Sequence, residues 1–180
     1  MKKVLIASFS LLLSVAAYAQ KPVTVGGAPM YPTKNIIENA VNSKDHTTLV
    51  AAVKAAGLVE TLSGAGPFTV FAPTNAAFEK LPAGTVENLL KPENKATLTA
   101  VLTYHVVAGK LSAADVANAI KAGNGTATLT TVQGGKLQAM MSGKDVLLKD
   151  EKGNTSKISI FDVNQSNGVI HVVESVVLPK

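Results

Sequence analysis

The side chains best suited to chemistry in this sequence are its three histidines, because an imidazole can bind a metal ion or transfer a proton near neutral pH. They are His46, His105 and His171, and none belongs to a His-x-x-x-His or His-Glu-x-x-His pattern. The chain also has no cysteine that could supply a thiolate ligand. His105 and His171 lie within apolar runs, where a buried imidazole is normally hydrogen-bonded. The spacing therefore predicts structural histidines and no metal site.

Other catalytic and cofactor-binding patterns are also missing from the sequence. The Gly-x-Ser-x-Gly turn that presents a serine nucleophile does not occur. The glycine-rich turns at residues 64–66 and 123–125 do not continue into the Gly-Lys-Ser/Thr of a phosphate-binding loop. Asp150 and Glu151 are flanked by lysines and a glycine, a composition typical of a solvated hairpin tip. We therefore expect neither enzymatic activity nor a cofactor.

The charged residues argue against a nucleic-acid partner. All 17 basic residues are lysines, they stand against 12 acidic residues, and tryptophan is absent. Nucleic-acid recognition favours the bidentate guanidinium of arginine, together with aromatic rings that stack on bases. Scattered lysines without such rings indicate a solvated surface instead.

The first residues have the pattern of an export signal. Lys2 and Lys3 precede an apolar run at residues 4–15, and Ala17-Tyr18-Ala19 supplies a small-x-small cleavage site. The apolar run is shorter than the roughly 20 residues that span a bilayer, and no later segment reaches that length. The sequence therefore predicts a signal peptide over residues 1–19 and a mature chain without a transmembrane segment. We expect that chain to be periplasmic, secreted or associated with the cell surface.

The mature chain divides into a short lead-in and one domain. Residues 20–34 contain three prolines and two glycines, which predicts an extended linker or arm. Residues 35–180 begin with helical spacing and end with short strands separated by turns, the order of an α+β domain. We expect helices within 35–56, 75–80, 92–102 and from Ser112, and strands at 68–72, 126–132, 136–140, 146–149, 157–163 and 169–178.

Two segments resemble the signatures of fasciclin-like domains. The segment from Thr69 to Phe78, TVFAPTNAAF, resembles the first signature, and Asn167 to Val173, followed by Leu178-Pro179, resembles the second. The Tyr104-His105 pair lies between them, as it does in that family. The resemblance covers about Asn35 to Pro179, essentially the whole domain at 35–180, and implies a wedge-shaped antiparallel β-sandwich with helices packed around it. It also implies a role in adhesion at surfaces or in matrices, without enzymatic activity.

The resemblance further implies which residues contact a partner and which hold the fold. In animal matrix members of the family, the tyrosine-histidine pair with its flanking aliphatic residues is linked to integrin binding. A second adhesion motif of those members survives here only as an aspartate and an aliphatic residue. The candidate partner-binding residues are therefore Leu102, Tyr104, His105, Val106, Val107, Asp162 and Val163. The signature residues expected to form scaffold are Thr69, Phe71, Pro73, Thr74, Asn75, Phe78, Asn167, Gly168 and His171.

These observations leave two functions open. The first is an exported, non-enzymatic adhesion or interaction module that binds a protein or glycan partner on a cell surface, in a matrix or in a biofilm. The alternative is a binder of an apolar small molecule such as a lipid or carotenoid. The sequence supports the alternative through adaptable apolar side chains at Met30, Tyr31, Met140 and Met141.

Overall fold

The structure is a computed structural model that describes residues 21–180. The predicted signal peptide, residues 1–19, and Gln20 lie outside the described residues. Within the described part, none of the helices has both the length and the apolar character needed to cross a membrane.

Seven α-helices come mainly from the first half of the described chain. Asn35 and Ser112 begin two of them with reciprocal capping boxes, and Gly57 ends another in the left-handed conformation at φ 74°. The helices are α1 (Ile36–Ala40), α2 (Thr47–Ala56), α3 (Val59–Ser63), α4 (Asn75–Glu79), α5 (Thr85–Leu89), α6 (Lys95–Tyr104) and α7 (Ala113–Ala122). Helices α3 and α5, each five residues long, were not predicted from the sequence.

The lead-in is not a free linker, and the structure corrects that expectation. Val23–Val25 (β1) and Ala28–Met30 (β2) form a hairpin around Gly26 and Gly27, both at positive φ. Such a two-residue turn is common in hairpins because it matches the strand twist. Alternation places Val25 and Met30 on one face, and each is only 1% exposed. The folded domain therefore begins near Val23.

Seven further strands form the predicted sandwich. They are β3 (Phe68–Pro73), β4 (Val106–Ala108), β5 (Thr126–Thr130), β6 (Lys136–Ser142), β7 (Asp145–Lys149), β8 (Thr155–Gln165) and β9 (Gly168–Val173). Their order is β4-β3-β9-β8-β7-β6-β5.

The long strand β8 turns the continuous strand order into two facing sheets. Its first residues pair with β7 and its later residues pair with β9, and register shifts within the β9 pairing bend the strand. The two edge strands then meet, because Val107 bridges Thr131 and the Val132 amide donates to the Val106 carbonyl at 2.7 Å. The fold class predicted from the sequence, an α+β sandwich with surrounding helices, is confirmed.

One strand pair departs from the antiparallel arrangement, since β3 and β9 run parallel. Both strands are almost fully buried along their length, which is typical of parallel strands covered on two faces. Val70 and Ala72 face the first six helices and form the helix-side core, whereas Phe71 faces the interior of the sandwich. The two signature segments therefore lie side by side at the centre of the molecule.

Candidate functional site

Tyr104 ends α6 inside the sandwich core and is fully buried. Its hydroxyl donates to the Lys136 carbonyl at 2.6 Å and accepts from the Glu151 amide at 3.2 Å. Burial raises the pKa of Tyr104 to about 12, so the phenol stays neutral. The hydroxyl therefore bonds backbone groups at the start of β6 and in the turn between β7 and β8, and its burial separates it from any partner in solution.

His105 follows directly and is 2% exposed. Its Nε2 accepts from the Val177 amide at 3.2 Å, which requires Nδ1 to carry the proton that it donates to the Val101 carbonyl at 2.8 Å. Burial lowers the pKa of His105 to about 4, and the imidazole is neutral at ordinary pH. The ring thus joins the end of α6 to the C-terminal segment of the chain.

The predicted partner-binding set does not form a surface in this fold. Six of its seven members are buried because the end of α6 and strand β4 lie between the two cores, with Leu102 and Val106 on the helix side and Tyr104 and Val107 on the sandwich side. Only the seventh, Asp162, keeps partial exposure. A partner cannot reach the other six without opening the domain. The buried members are Leu102, Tyr104, His105, Val106, Val107 and Val163.

Asp162 has a structural task of its own at the bend of β8. It adopts a positive φ of 55°, and its carboxylate accepts from the Ala113 amide at 2.8 Å, at the start of α7. Its own amide donates to Nδ1 of His171 at 3.3 Å, while Nε2 of that ring donates to the Leu111 carbonyl at 2.8 Å. Burial lowers the pKa of His171. These bonds fix α7 and the loop before it to the sheet.

The Asp150-Glu151 turn is not the solvated hairpin tip that its composition indicated. Asp150 is 5% exposed, and its carboxylate accepts from the backbone amides of Asn154 at 2.8 Å and Leu178 at 2.9 Å. Glu151 accepts from the Lys136 amide at 2.8 Å, which lowers the pKa of the Glu151 carboxyl. The turn therefore binds the C-terminal segment through Leu178, next to Tyr104. The sequence feature that indicates this role is an aspartate at the start of a tight turn, because its side chain readily accepts hydrogen bonds from backbone amides later in the turn.

The scaffold residues of the first signature connect β3 to its surroundings. Thr69 donates to the Gly109 carbonyl at 2.7 Å and accepts from the Leu111 amide at 2.9 Å. Thr74 caps α4, and Asn75 accepts from the Thr48 amide at 3.0 Å. The remaining members, Phe71, Pro73 and Phe78, are buried.

Asn167 is the corresponding connector in the second signature. Its Oδ1 accepts from the Ile36 amide at 3.0 Å, and its Nδ2 donates to the carbonyls of Leu62 at 2.8 Å and Gly64 at 2.9 Å. One side chain thus holds the start of α1 and the end of α3 against the turn between β8 and β9.

We expect Asn167→Ala to lower the free energy of unfolding by about 2 kcal/mol, because it leaves an amide and two carbonyls without their partner. Urea denaturation measures the change. Asn42→Ala is the matched control, since Asn42 makes one exposed bond to the Glu38 carbonyl, and its loss should cost well under 1 kcal/mol. Equal costs for the two variants would contradict the connector role.

Among residues 21–180, the acidic and histidine side chains form no group of three that could hold a metal ion. The side chains of Asp150, Asp162 and His171 bond instead to backbone amides and carbonyls of neighbouring elements. The fold is a sandwich flanked by helices, in which polar side chains such as those of Asp150, Asp162 and His171 join neighbouring elements.

The chain belongs to the fasciclin domain family, whose family model matches residues 44–179. It is 47% identical over 164 residues to Protein sll1483 of Synechocystis sp., covering 89% of this chain and 82% of that protein. It is 36% identical over 169 residues to the immunogenic protein MPB70 of Mycobacterium bovis, covering 91% of this chain and 77% of that protein. The cell surface glycolipoprotein MPB83 of the same species is 33% identical over 166 residues, covering 92% and 64% respectively.

The fold is also similar to that of a solved domain pair from the insect cell adhesion molecule fasciclin I. The TM-score is 0.71 at 15% identity, and the match covers 82% of this chain. The chain spans about half of that pair, at 52% of its length.

Proposed function

We propose that this chain is an exported, non-enzymatic adhesion or interaction module that binds a protein or glycan on a cell surface, in a matrix or in a biofilm. Membership of the fasciclin domain family carries the proposal. The similarity to MPB83, a cell surface glycolipoprotein, supports a location outside the cytoplasm, as does the signal-peptide pattern at residues 1–19.

Partner contacts on this proposal come from the exposed surface and not from the Tyr104-His105 pair. The pair is enclosed, and its polar atoms are already bonded to backbone groups. In the described part of the chain, the large apolar side chains that remain exposed are Tyr31, Val41, Val132 and Met141. They belong to different segments, since Tyr31 follows β2, Val41 ends α1, Val132 follows β5 and Met141 lies in β6.

The proposal is tested by deleting the gene in its host and measuring attachment to abiotic and cellular surfaces, with cross-linking to capture the partner. We expect attachment to fall on deletion and to recover when the full chain is restored. Unchanged attachment together with no cross-linked partner would contradict the proposal.

A variant of Tyr104 distinguishes a scaffold role of the buried pair from a role in contacting a partner. Tyr104→Phe removes the hydroxyl that bonds Lys136 and Glu151, so we expect the free energy of unfolding to fall by about 1 to 2 kcal/mol. Because the hydroxyl is buried, attachment by the folded variant should equal that of the unmodified chain. Stability is measured in urea and attachment in the deletion strain. Lost attachment with unchanged stability would instead make Tyr104 a contact residue.

A further inference from the structure

Three shallow depressions adjoin one another around the turn at residues 150–154, between β7 and β8. The first has a volume of about 400 Å³ and shares Gly153 with the second, whose volume is about 530 Å³. The third, of about 500 Å³, shares Lys152 with the first and Leu178 with the second. Each is as large as an ordinary ligand pocket, roughly 300 to 1,000 Å³. Because they share these residues, the three depressions form one open groove, the turn groove.

Lysine is the predominant charged residue of the turn groove. Five lysines line it and all are exposed, whereas the acidic residues of its lining are Asp150 and Glu151. The whole sequence has 17 lysines against 12 acidic residues, so the groove is more basic than the chain as a whole. The five lysines are Lys80, Lys136, Lys149, Lys152 and Lys180.

The two acidic side chains of the groove do not pair with these lysines. Asp150 is buried and Glu151 is half-buried, and both carboxylates accept hydrogen bonds from backbone amides. Among residues 21–180, the single ion pair joins Lys157 to Asp145, and neither of these lines the groove. The positive charge of the groove is therefore available to an anion from solution.

The strand register places several of these lysines close together. Gln138 on β6 lies opposite Lys149 on β7, so Lys136 is the diagonal neighbour of Lys149 on the same exposed face. Diagonal neighbours in a sheet are roughly 7 to 8 Å apart. Lys152 lines the same depression from the turn that follows β7. Three ammonium groups at one end of the groove can thus contact successive charges of one polymer.

The uncharged side chains of the groove favour a polysaccharide among anionic polymers. Gln138, Asn154 and Thr155 supply amide and hydroxyl groups, which both donate to and accept from sugar hydroxyls. The lining includes no aromatic residue, whereas proteins bind single-stranded nucleic acids by stacking bases on aromatic rings. Three adjoining depressions also suit a chain of repeating units better than one compact ligand.

We propose that the turn groove binds an acidic polysaccharide, whose carboxylates pair with the lysines and whose hydroxyls bond the amide and hydroxyl side chains. The inference names a partner class for the interaction module, and it rests on that proposed function for a location outside the cytoplasm. Salt screens the attraction between exposed charges, so binding should weaken as the ionic strength rises.

The first test titrates the exported protein with short oligosaccharides of alginate, a polymer of uronic acids. Isothermal titration calorimetry gives the affinity, and nuclear magnetic resonance should show shifted backbone amides at Lys152 and Gly153. Esterified alginate, whose carboxylates are blocked, should bind about tenfold more weakly, because it loses its ion pairs. Single-stranded DNA with the same number of charges should also bind more weakly than alginate, because the groove offers its bases no aromatic ring.

Paired substitutions assign the binding to the groove. Lys149→Gln combined with Lys152→Gln removes two exposed charges of the lining, so the affinity for alginate should fall about fivefold or more. The matched control combines Lys44→Gln with Lys54→Gln, which removes two exposed charges outside the lining. Its affinity should change by less than about twofold, because distant exposed charges are screened.

Equal alginate affinity of the two double variants would overturn the proposal, as would equal affinity for the esterified polymer or tighter binding of the DNA. Attachment in the deletion strain distinguishes this inference from the proposed function. If the chain restores attachment but does not bind alginate, the inference is wrong and the proposed function stands. If deletion leaves attachment unchanged and alginate binds through the groove lysines, the proposed function is wrong and the groove assignment stands.

Discussion

Replacing Gly168 with alanine is expected to lower the free energy of unfolding by about 3 kcal/mol or more, the upper range for overpacking a core. A Cβ atom at this residue would lie deep inside the van der Waals radius of the Phe68 carbonyl oxygen, and 3.0 Å from the Phe68 nitrogen. Both are backbone atoms of the facing strand, where Phe68 pairs with Gly168. They cannot move aside without breaking the parallel pairing at the centre of the molecule.

The matched control for this change is Gly143→Ala. A Cβ atom at Gly143 meets nothing within 4 Å, and the residue has a positive φ of 63°. That substitution should cost about 1 kcal/mol, the strain of a left-handed alanine. Urea denaturation of both variants gives the comparison. A Gly168→Ala cost no larger than that of the control would contradict the close approach of β3 and β9.

The free energy of unfolding should fall strongly as the pH is lowered, and much of this loss should occur before the carboxylates titrate. Burial lowers the pKa of His105 from 6.5 to about 4, so between these values the unfolded chain binds a proton that the folded chain does not. The contribution of His105 is complete above about pH 6.5 and falls by about 3 kcal/mol as the pH approaches 4. The pKa values of His46 and His171 are lowered as well, which adds to the loss in the same direction.

The measurement is the free energy of unfolding in urea at about pH 7 and about pH 4.5, at constant ionic strength. His105→Gln is the informative variant, because its amide can donate to the Val101 carbonyl and accept from the Val177 amide without titrating. Its stability should vary less with pH than that of the unmodified chain. Equal pH dependence of the two proteins would show that His105 does not carry a lowered pKa.

Local patterns were sufficient to predict much of the framework. The capping box at Ser112 and Asp115 begins α7 as expected, because it depends on residues three apart. Period-two alternation likewise identified β5 and β6, each of which has one buried face. The order of helices before strands, with the two signatures, led to the α+β sandwich.

The features missed depend on contacts between distant parts of the chain. The proline- and glycine-rich lead-in resembles a linker locally, and only packing against the domain buries Val25 and Met30. The run at 169–178 was predicted as one strand, but β9 ends at Val173. Val177 beyond it is held by His105, 72 residues earlier in the chain. Such pairings cannot be derived from spacing.

The candidate site was likewise predicted only in part from the sequence. The resemblance implied a scaffold role for Asn167 and His171, and in the structure both side chains bond backbone groups of neighbouring elements. Whether Tyr104 and His105 face solvent could not be deduced from their neighbours in sequence, because an apolar setting suits a core and a contact surface alike. The burial of His46 could not be predicted from the sequence either, since its environment comes from elements that meet only in the folded chain.

We infer that the Tyr104-His105 pair is a buried part of the scaffold and not a surface for a partner. The most direct test is a pH titration of the three imidazoles by nuclear magnetic resonance on the folded protein. We predict that the pKa of His105 is about 4 and that its ring proton exchanges slowly. A His105 that titrates near the reference value of about 6.5 with rapid exchange would contradict the claim and place the pair at the surface.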